Sequence, residues 1–334
     1  GAGTDAFTLN GGTLSGALNG GAGTNTLTAG NVANTWVITG ADAGTVTGIA
    51  GGFTNIASLI GGTNTDSFTL SGGTLSGSID GGTGTNSLAG DNVANTWGIT
   101  GADAGSVTGV TGGFTNIANL TGGSNDDTFT VGASGSVSGM IDGGGQTTSD
   151  VLSYAAVTVA VTPKVGTNFS NIESVTGNGA NGTLVGADAA NTWLINGANA
   201  GTVNDGVATV AFSGFNNLTG GANADSFTLS GGSLSGALTG GAGTNSLTGD
   251  NVATTWVITG ANAGTVTGIT GGFTNIASLI GGTNTDSFTL AGGTLSGAIN
   301  GGLTGANTLT GDNVATTWTI TGTDGGTVTG VTGG

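Results

Sequence analysis

Residues 61–121 read GGTNTDSFTL, SGGTLSGSID, GGTGTNSLAG, DNVANTWGIT, GADAGSVTGV and TGGFTNIANLT. Each of these six segments begins with a cluster of small and polar turn residues and continues with apolar and polar residues in alternation. Such alternation is typical of a β-strand with one buried face, and Gly and Asn are the usual residues of turns. The stretch therefore predicts short strands separated by turns, a spacing that leaves no room for helices.

The same stretch recurs along the chain. GGTNTDSFTL at Gly61 returns unchanged at Gly281, and related segments begin at Gly122 and Gly220. Trp also occurs once in each copy, at Trp36, Trp97, Trp193, Trp256 and Trp318. The chain therefore divides into five repeats, of which the third is longer and divergent and the last is incomplete: 1–60, 61–121, 122–219, 220–280 and 281–334. We predict that they form one continuous domain over 1–334.

A repeat with a single apolar face cannot bury that face alone, so it has to stack on its neighbours. The pattern predicts an all-β fold, a parallel β-solenoid (β-roll or β-helix) with about 20 residues and two strands per coil. A three-sided β-helix with the same coil length is the alternative cross-section. The apolar positions of the second repeat predict which side chains point inward: Phe68, Leu70, Leu75, Ile79, Trp97, Ile99, Ile117 and Leu120.

The composition excludes several classes of partner. The 334 residues include 75 Gly, 18 acidic residues and one basic residue, for a formal charge of -17. Binding to nucleic acid depends on Lys and Arg that displace counterions from phosphates, and anionic lipid is attracted by the same residues. No apolar run reaches the 18 or so residues of a membrane helix. We therefore expect neither nucleic-acid binding nor membrane insertion.

The composition also argues against catalysis. There is no His and no Cys, and Lys164 is the single basic residue. Ser and Thr hydroxyls are weak nucleophiles without an adjacent base. Some polysaccharide-processing enzymes use β-helices, so the fold alone does not exclude an enzyme. Such enzymes cluster acids with Arg or Lys, and we expect this protein not to be an enzyme.

The turns carry the one chemical motif of the sequence. GAGTDAF begins at Gly1, GGAGTNTLT at Gly20 and GGTGTNSLA at Gly81. These turns resemble the nonapeptides G-G-x-G-x-D-x-U-x of RTX (hemolysin-type) calcium-binding proteins. The longer unit is similar to the Gly-rich arrays of giant secreted bacterial surface proteins of the adhesin type, and the resemblance covers essentially the whole chain.

The resemblance implies calcium between neighbouring coils, held by backbone carbonyls and by the Asp of each turn. The Asp residues that match the family motif are Asp5, Asp66, Asp127, Asp225 and Asp286, with Asp150 as a looser match. The next turn along has Asn in place of Asp, for example Asn25 and Asn86. Because alternating Asp with Asn separates the like charges without a metal, metal-free turns are the alternative to calcium. No other cofactor is implied.

The Trp residues have two interpretations. Trp97 alternates in step with Ile99, which favours a core position for the Trp of each repeat. A row of exposed Trp rings on which sugars stack is the alternative. The same choice between structure and ligand binding arises in the third repeat, where residues 143–176 contain the only Tyr, Pro, Lys and Glu. Extra coils of divergent sequence are favoured because Val157, Val159 and Val161 alternate as a strand would, and a functional insertion is the alternative.

The function that follows from these patterns is structural. Near-identical repeats suit a rod, and the unpaired strand edges at the ends of a solenoid invite further strands. We expect an extracellular bacterial protein at the cell surface, the repetitive shaft of a filament, sheath or adhesin stalk that self-associates into fibres. Its partner would be a second copy, or further repeats of the same chain, because Gly1 lies within a repeat. The alternative is a calcium-dependent adhesin or a module that binds cell-surface glycans.

Overall fold

The computed structural model describes residues 1–334 and contains 36 β-strands and no α-helix. Long sheets of mostly parallel strands confirm the predicted β-solenoid. Since the chain forms no helix, none is long and apolar enough to span a membrane. The chain forms two compact units, the first made of Gly1–Thr158 with Thr167–Ser174 and the second of Val159–Gly166 with Val175–Gly334. The division falls within the divergent third repeat.

The first unit contains two sheets. Its strands are β1 (Ala6–Thr8), β2 (Leu18–Asn19), β3 (Thr26–Thr28), β4 (Thr35–Gly40), β5 (Ala43–Val46), β6 (Ile49–Thr54), β7 (Ser58–Ile60), β8 (Ser67–Leu70), β9 (Ile79–Asp80), β10 (Ser87–Ala89), β11 (Thr96–Gly101), β12 (Ala104–Val107), β13 (Val110–Thr115), β14 (Asn119–Gly123), β15 (Thr128–Val131), β16 (Ile141–Gly144), β17 (Val151–Ser153) and β18 (Phe169–Ser170). Sheet I has the order β1-β3-β7-β9-β13-β12-β11-β15-β17. Sheet II has the order β2-β6-β5-β4-β8-β10-β14-β16-β18.

The second unit repeats this plan with sheets III and IV, and β19 (Ser174–Thr176) lies across the division between the units. Sheet III has the order β23-β22-β21-β25-β27-β31-β33 and sheet IV the order β20-β24-β26-β30-β29-β28-β32-β34. The strands are β20 (Thr183–Val185), β21 (Thr192–Gly197), β22 (Ala200–Asn204), β23 (Thr209–Ser213), β24 (Asn217–Gly221), β25 (Ser226–Leu229), β26 (Leu238–Gly241), β27 (Ser246–Thr248), β28 (Thr255–Gly260), β29 (Ala263–Val266), β30 (Ile269–Thr274), β31 (Ser278–Ile280), β32 (Ser287–Leu290), β33 (Ile299–Asn300) and β34 (Thr308–Thr310), with a final hairpin of β35 (Trp318–Gly322) and β36 (Gly325–Val328).

Two kinds of coil alternate in each unit. Phe68 pairs with Leu88, 20 residues further along, as the predicted coil length requires. Leu88 pairs with Leu120, and this longer coil contains a three-stranded antiparallel meander, β11–β12–β13. The sequence analysis did not foresee the meander. Its first two strands, β11 and β12, are joined by the two-residue loop Ala102–Asp103. Asp103 has a φ of 51°, the left-handed conformation that hairpin loops favour.

The meander changes sheets from one repeat to the next. In the first repeat β4–β5–β6 belong to sheet II, and in the second β11–β12–β13 belong to sheet I. Each regular repeat has seven strands, four in one sheet and three in the other, so two successive repeats contribute seven strands to each sheet. Two successive repeats therefore add the same number of strands to each sheet.

The core lies between the two sheets of each unit. All eight side chains predicted to point inward are buried. Trp36, Trp97, Trp193 and Trp256 are fully buried, which confirms their assignment to the core and leaves them unavailable for stacking with sugars. Each ring stacks on the Phe of the next coil, for example Trp97 on Phe129 with 5.4 Å between the centroids.

Two expectations from the sequence need correction. Trp318 is not a core residue in this chain, because 44% of its surface is exposed and no Phe lies against its ring. In the third repeat, residues 154–163 form no strand, although Val157, Val159 and Val161 alternate with other residues. Val157 is buried and Val159 is 65% exposed. The repeat nevertheless contains ten strands instead of seven, so it adds strands as the favoured interpretation predicts.

Candidate functional site

The predicted calcium positions lie in a column of hydrogen-bonded Asx side chains, which we call the turn ladder. In the first unit it runs through Asn34, Asp66 and Asn86, one residue from each of three successive coils, all of them buried. The backbone N and Nδ2 of Asn34 donate to Asp66 Oδ1 at 2.7 and 2.8 Å. The backbone N of Asp66 donates to Asn86 Oδ1 at 2.9 Å. Each rung thus accepts a hydrogen bond from a backbone N–H in the turn of the adjacent coil.

The Asn rungs that come after an Asp, such as Asn86 and Asn25, use both ends of the side-chain amide. Asn86 accepts through Oδ1 from one coil and donates through Nδ2 to the carbonyl of Asn116 in the next, at 3.0 Å. Asn25 donates in the same way to the carbonyl of Asn55 at 2.9 Å. A buried amide with both ends bonded incurs little penalty for leaving water. Asn25 and Asn86 are therefore satisfied at both ends.

The Asp rungs use only one of their two oxygens. The second oxygen, Oδ2, is buried and has no hydrogen-bond partner in Asp66, Asp127, Asp150, Asp225 and Asp286. In Asp66 it takes the place of an Asn Nδ2 and faces the carbonyl oxygen of Gly81. A Cβ added at Gly61 would lie 2.5 Å from each of these two oxygens. The Asp rung therefore sets two acceptors against each other where an Asn rung makes a bond.

Burial raises the pKa of several of these carboxyl groups. It is the main cause of the raised pKa values of Asp66, Asp127 and Asp225, and the hydrogen bonds from Asn34, Asn95 and Asn191 oppose it. A buried carboxylate with few donors favours its neutral form. Asp66, Asp127 and Asp225 thus lose a proton less readily than Asp in water.

The third repeat replaces the alternation by a run of acids. Asp127 N donates to Asp150 Oδ1 at 2.6 Å, and Asp150 N donates to Glu173 Oε2 at 2.7 Å. Burial, together with the charges of Asp127, Glu173 and Asp126, raises the pKa of Asp150 to about 6. Asp126 lies at the surface, where backbone donors from residues 147–149 lower its pKa to about 2. We call the run of Asp127 and Asp150, which are buried, and Glu173, which is half-buried, the acid column.

Asp5 differs from the other four predicted positions. Its side chain is 41% exposed, and its Oδ2 accepts a hydrogen bond from the amino group of Gly1 at 3.1 Å. Its backbone N donates to Asn25 Oδ1 at 2.9 Å, as Asp66 N does to Asn86. Asp5 therefore bonds to the following coil as Asp66 does, but its own side chain is more exposed.

The oxygens around the predicted positions do not match the ligand set of calcium, which takes six to eight oxygens. The five Asp residues are not brought together, since each has Asn, Thr or one further acid as its ladder neighbours. No group of three or more acidic side chains is placed to hold a metal ion. At Asp66 the oxygen of Asn86 is already occupied by a backbone N–H. Calcium binding stays a prediction from the resemblance.

Three rungs of the ladder were not foreseen. Asn34, Asn95 and Asn191 stand two residues before a buried Trp, and each caps an Asp of the following coil. Thr254 takes the same position in the fourth repeat and donates to Asp286. The signal in the sequence is the recurrent N-T-W, of which only the Trp was predicted to have a structural role, in the core.

The surface offers two equivalent open grooves, one in each unit. The first, about 490 Å³, is lined by Asp42, Leu75 and Ser76, and the second, about 310 Å³, by the corresponding Asn199, Leu234 and Ser235. Both oxygens of Asp42 are bonded to Ser76, through its N at 2.7 Å and its Oγ at 2.8 Å. The residues that line the grooves include no aromatic side chain and no His, Cys or basic side chain, so the grooves provide no catalytic constellation.

Comparison with known proteins adds no family. No protein-family model matches the chain, and no curated protein matches it. The turn ladder, the acid column and the Trp–Phe stacks are therefore the features on which a function has to be argued.

Proposed function

We propose that the protein is the repetitive shaft of a bacterial surface filament, sheath or adhesin stalk, outside the cell, and that it self-associates into fibres. Its recurring chemistry joins one coil to the next. The ladder bonds and the Trp–Phe stacks both run between coils, in repeat after repeat. A molecule whose best-developed sites hold its own coils together is suited to length and stiffness.

The observation that carries this proposal is the Trp–Phe contact that recurs between successive coils. Trp256 and the other internal Trp rings are buried because the next coil places a Phe on them, 5.5 Å away for Trp256 and Phe288. Trp318 has the same position in the fifth repeat and is 44% exposed, and Ile320 beside it is 77% exposed. In the purified chain this apolar surface is available to a second copy. Unpaired strand edges of this kind promote association.

Electron microscopy and sedimentation of the purified chain test the proposal. We expect long fibres of uniform width and an average mass that grows with concentration. Trp318→Ser removes the apolar contact and should shorten the fibres. Val207→Ser is the matched control, because Val207 is 93% exposed and lies outside the coil interface. A chain that stays monomeric at all concentrations would overturn self-association.

The calcium-dependent adhesin is a second candidate, favoured by one observation. Five buried Asp side chains keep an oxygen without a hydrogen-bond partner, and a cation is one way to satisfy such an atom. A protein of this class would bind cells or neutral glycans only with calcium present. Binding of the intact chain to a glycan array with calcium and with a chelator separates the two candidates, since a pure shaft binds no glycan in either condition.

A further inference from the structure

The first three repeats share a buried donor and a buried acceptor without partners. The donors are the indole Nε1 atoms of Trp36, Trp97 and Trp193, and the acceptors are the Oδ1 atoms of Asn34, Asn95 and Asn191. All six residues are at most 2% exposed. The two groups stand two residues apart in the same strand entry of each repeat. The same donor and acceptor therefore lack a hydrogen-bond partner in each of the first three repeats.

In the fourth and fifth repeats the indole N–H has a hydrogen-bond partner. In the fourth repeat Thr254 replaces the Asn, and Trp256 Nε1 donates to Thr254 Oγ1 at 2.8 Å. In the fifth, Trp318 Nε1 donates to Thr316 Oγ1 at 3.1 Å. The indole N–H thus points toward the residue two positions earlier, and it finds an acceptor there when that residue has a hydroxyl group on Cβ.

The Asn side chain cannot turn its oxygen into the position of that hydroxyl. Asn34 Nδ2 donates to the carbonyls of Gly30 and Gly61 at 2.9 and 3.0 Å and to Asp66 Oδ1 at 2.8 Å. Rotating the amide by half a turn would put its oxygen against these acceptors. The ladder therefore holds Nδ2 in place, and Oδ1, on the other branch of the amide, has no hydrogen-bond partner, nor has the indole Nε1 of Trp36.

One water molecule satisfies both groups, since it accepts from an N–H and donates to a carbonyl oxygen. Buried water of this kind occurs where polar groups would otherwise stay unsatisfied. We propose that each of the first three repeats binds one ordered water that bridges the indole Nε1–H to the Asn Oδ1 two residues earlier. In the fourth repeat the hydroxyl of Thr254 takes the place of that water.

The proposal gives a rule that applies to each repeat. N-T-W specifies a hydrated coil, whereas T-T-W specifies a dry one. Asn and Thr are therefore not equivalent at this position even though both cap the Asp of the following coil, as Asn95 caps Asp127 and Thr254 caps Asp286. The water belongs to the coil interface, where the Trp ring also stacks on the Phe of the next coil.

Oxygen-17 magnetic relaxation dispersion tests the proposal, because it counts long-lived waters and is insensitive to exchanging hydroxyl protons. The wild-type chain, Asn95→Thr and Thr254→Asn are compared, each substitution creating a residue that another repeat already has at that position. We expect Asn95→Thr to lose one long-lived water and Thr254→Asn to gain one. Asn10→Thr is the control, since Asn10 is exposed and should leave the count unchanged.

The position of the Trp97 indole proton resonance provides the second measurement. With a bridging water, Asn95→Thr exchanges one hydrogen-bond acceptor for another, so the resonance moves while the water count falls by one. An unchanged water count in both Asn95→Thr and Thr254→Asn would overturn the proposal, whichever way the indole resonance moves. Far-ultraviolet circular dichroism of each variant confirms that the fold is retained.

Discussion

The turn ladder and the acid column follow the same backbone path but differ in chemistry. In the second repeat Asp66 lies between Asn34 and Asn86, so each acid has an amide on both sides. In the third repeat Asp127 and Asp150 are adjacent rungs, and Glu173 follows at the next. The hydrogen bonds from backbone N–H groups have similar lengths in the two, 2.6 and 2.7 Å in the acid column against 2.7 and 2.9 Å in the turn ladder. The backbone therefore accepts either set of side chains.

The difference lies in the second atom of each side chain. An Asn gives that atom a hydrogen to donate, as Asn86 does to the carbonyl of Asn116, whereas an Asp puts a second acceptor there. Isolated between amides, an Asp carries only the cost of its own burial. Next to other acids it also carries their repulsion, which contributes to the pKa of about 6 for Asp150. Alternation with Asn is thus the less costly way to stack turns without a cation.

The largest loss of stability is expected when a Cβ atom is added in the space beside a rung of the turn ladder. A Cβ at Gly143 would lie 1.9 Å from the carbonyl oxygen of Asn171, and a Cβ at Gly61 would lie 2.5 Å from that of Gly81. We expect each Gly→Ala change to lower the free energy of unfolding by about 3 kcal/mol, because backbone has to move. Chemical denaturation measures it. Gly16→Ala is the control, as its Cβ would meet nothing within 4 Å, and an equal loss there would contradict the account.

Exchanging Asn and Asp should give effects of opposite sign in the same ladder. Asn86→Asp loses the bond to Asn116 and adds an acid beside Asp66, so we expect a loss of about 2 kcal/mol in unfolding free energy. Asp66→Asn gains a donor toward Gly81 and should stabilise the chain by about 1 kcal/mol. Thermal and urea unfolding at pH 7 measure both. Destabilisation by Asp66→Asn would mean that the carboxylate has a partner that the ladder does not supply.

The acid column should make stability depend on pH. Asp150 has a folded pKa of about 6, above the value of about 3.9 for Asp in an unfolded chain. A raised folded pKa stabilises the fold fully below the unfolded value, and this stabilisation is lost as the pH rises through about 6. We therefore expect the unfolding temperature to rise when the pH falls from 7 to 5.

Asp150→Asn removes most of that dependence and raises the unfolding temperature at pH 7. The raised pKa values of Asp66, Asp127 and Asp225 act in the same direction, so a smaller slope should remain in the variant. Asp126 has the opposite effect on the pH dependence of stability, because its pKa is lowered to about 2. The stability that its carboxylate contributes to the fold is lost only as the pH falls through that value. A slope equal to that of the wild type would show that the acid column does not titrate as described.

Much of the fold could be predicted from the sequence because burial follows the period of a strand. Phe68 and Leu120 were assigned to the core from alternation alone, and both are buried. The meander was missed because its hairpin loop, Ala102–Asp103, has the same composition as the turns between coils. The direction of a strand depends on loop length, and two residues between β11 and β12 require antiparallel pairing.

The candidate site could be predicted only in part. The Asp of each turn was found because the resemblance to RTX turns marks it, and four of the five are buried in the ladder. The partners of these residues were not found, because Asn34 lies 32 residues before Asp66, across a meander that the sequence does not announce. The number of residues in a coil decides which residues form hydrogen bonds with the next coil, and that number changes from one coil to the next.

The central claim is that the turn ladder holds the coils together without a metal ion. Thermal unfolding of the intact chain, followed by circular dichroism after chelator treatment and then with calcium added up to millimolar concentration, tests it most directly. We predict the same unfolding temperature in both conditions, and the same difference between Asp66→Asn and the wild type in each. A rise in unfolding temperature with calcium that is lost in Asp66→Asn would contradict the claim and would assign the free Oδ2 of Asp66 to a bound cation.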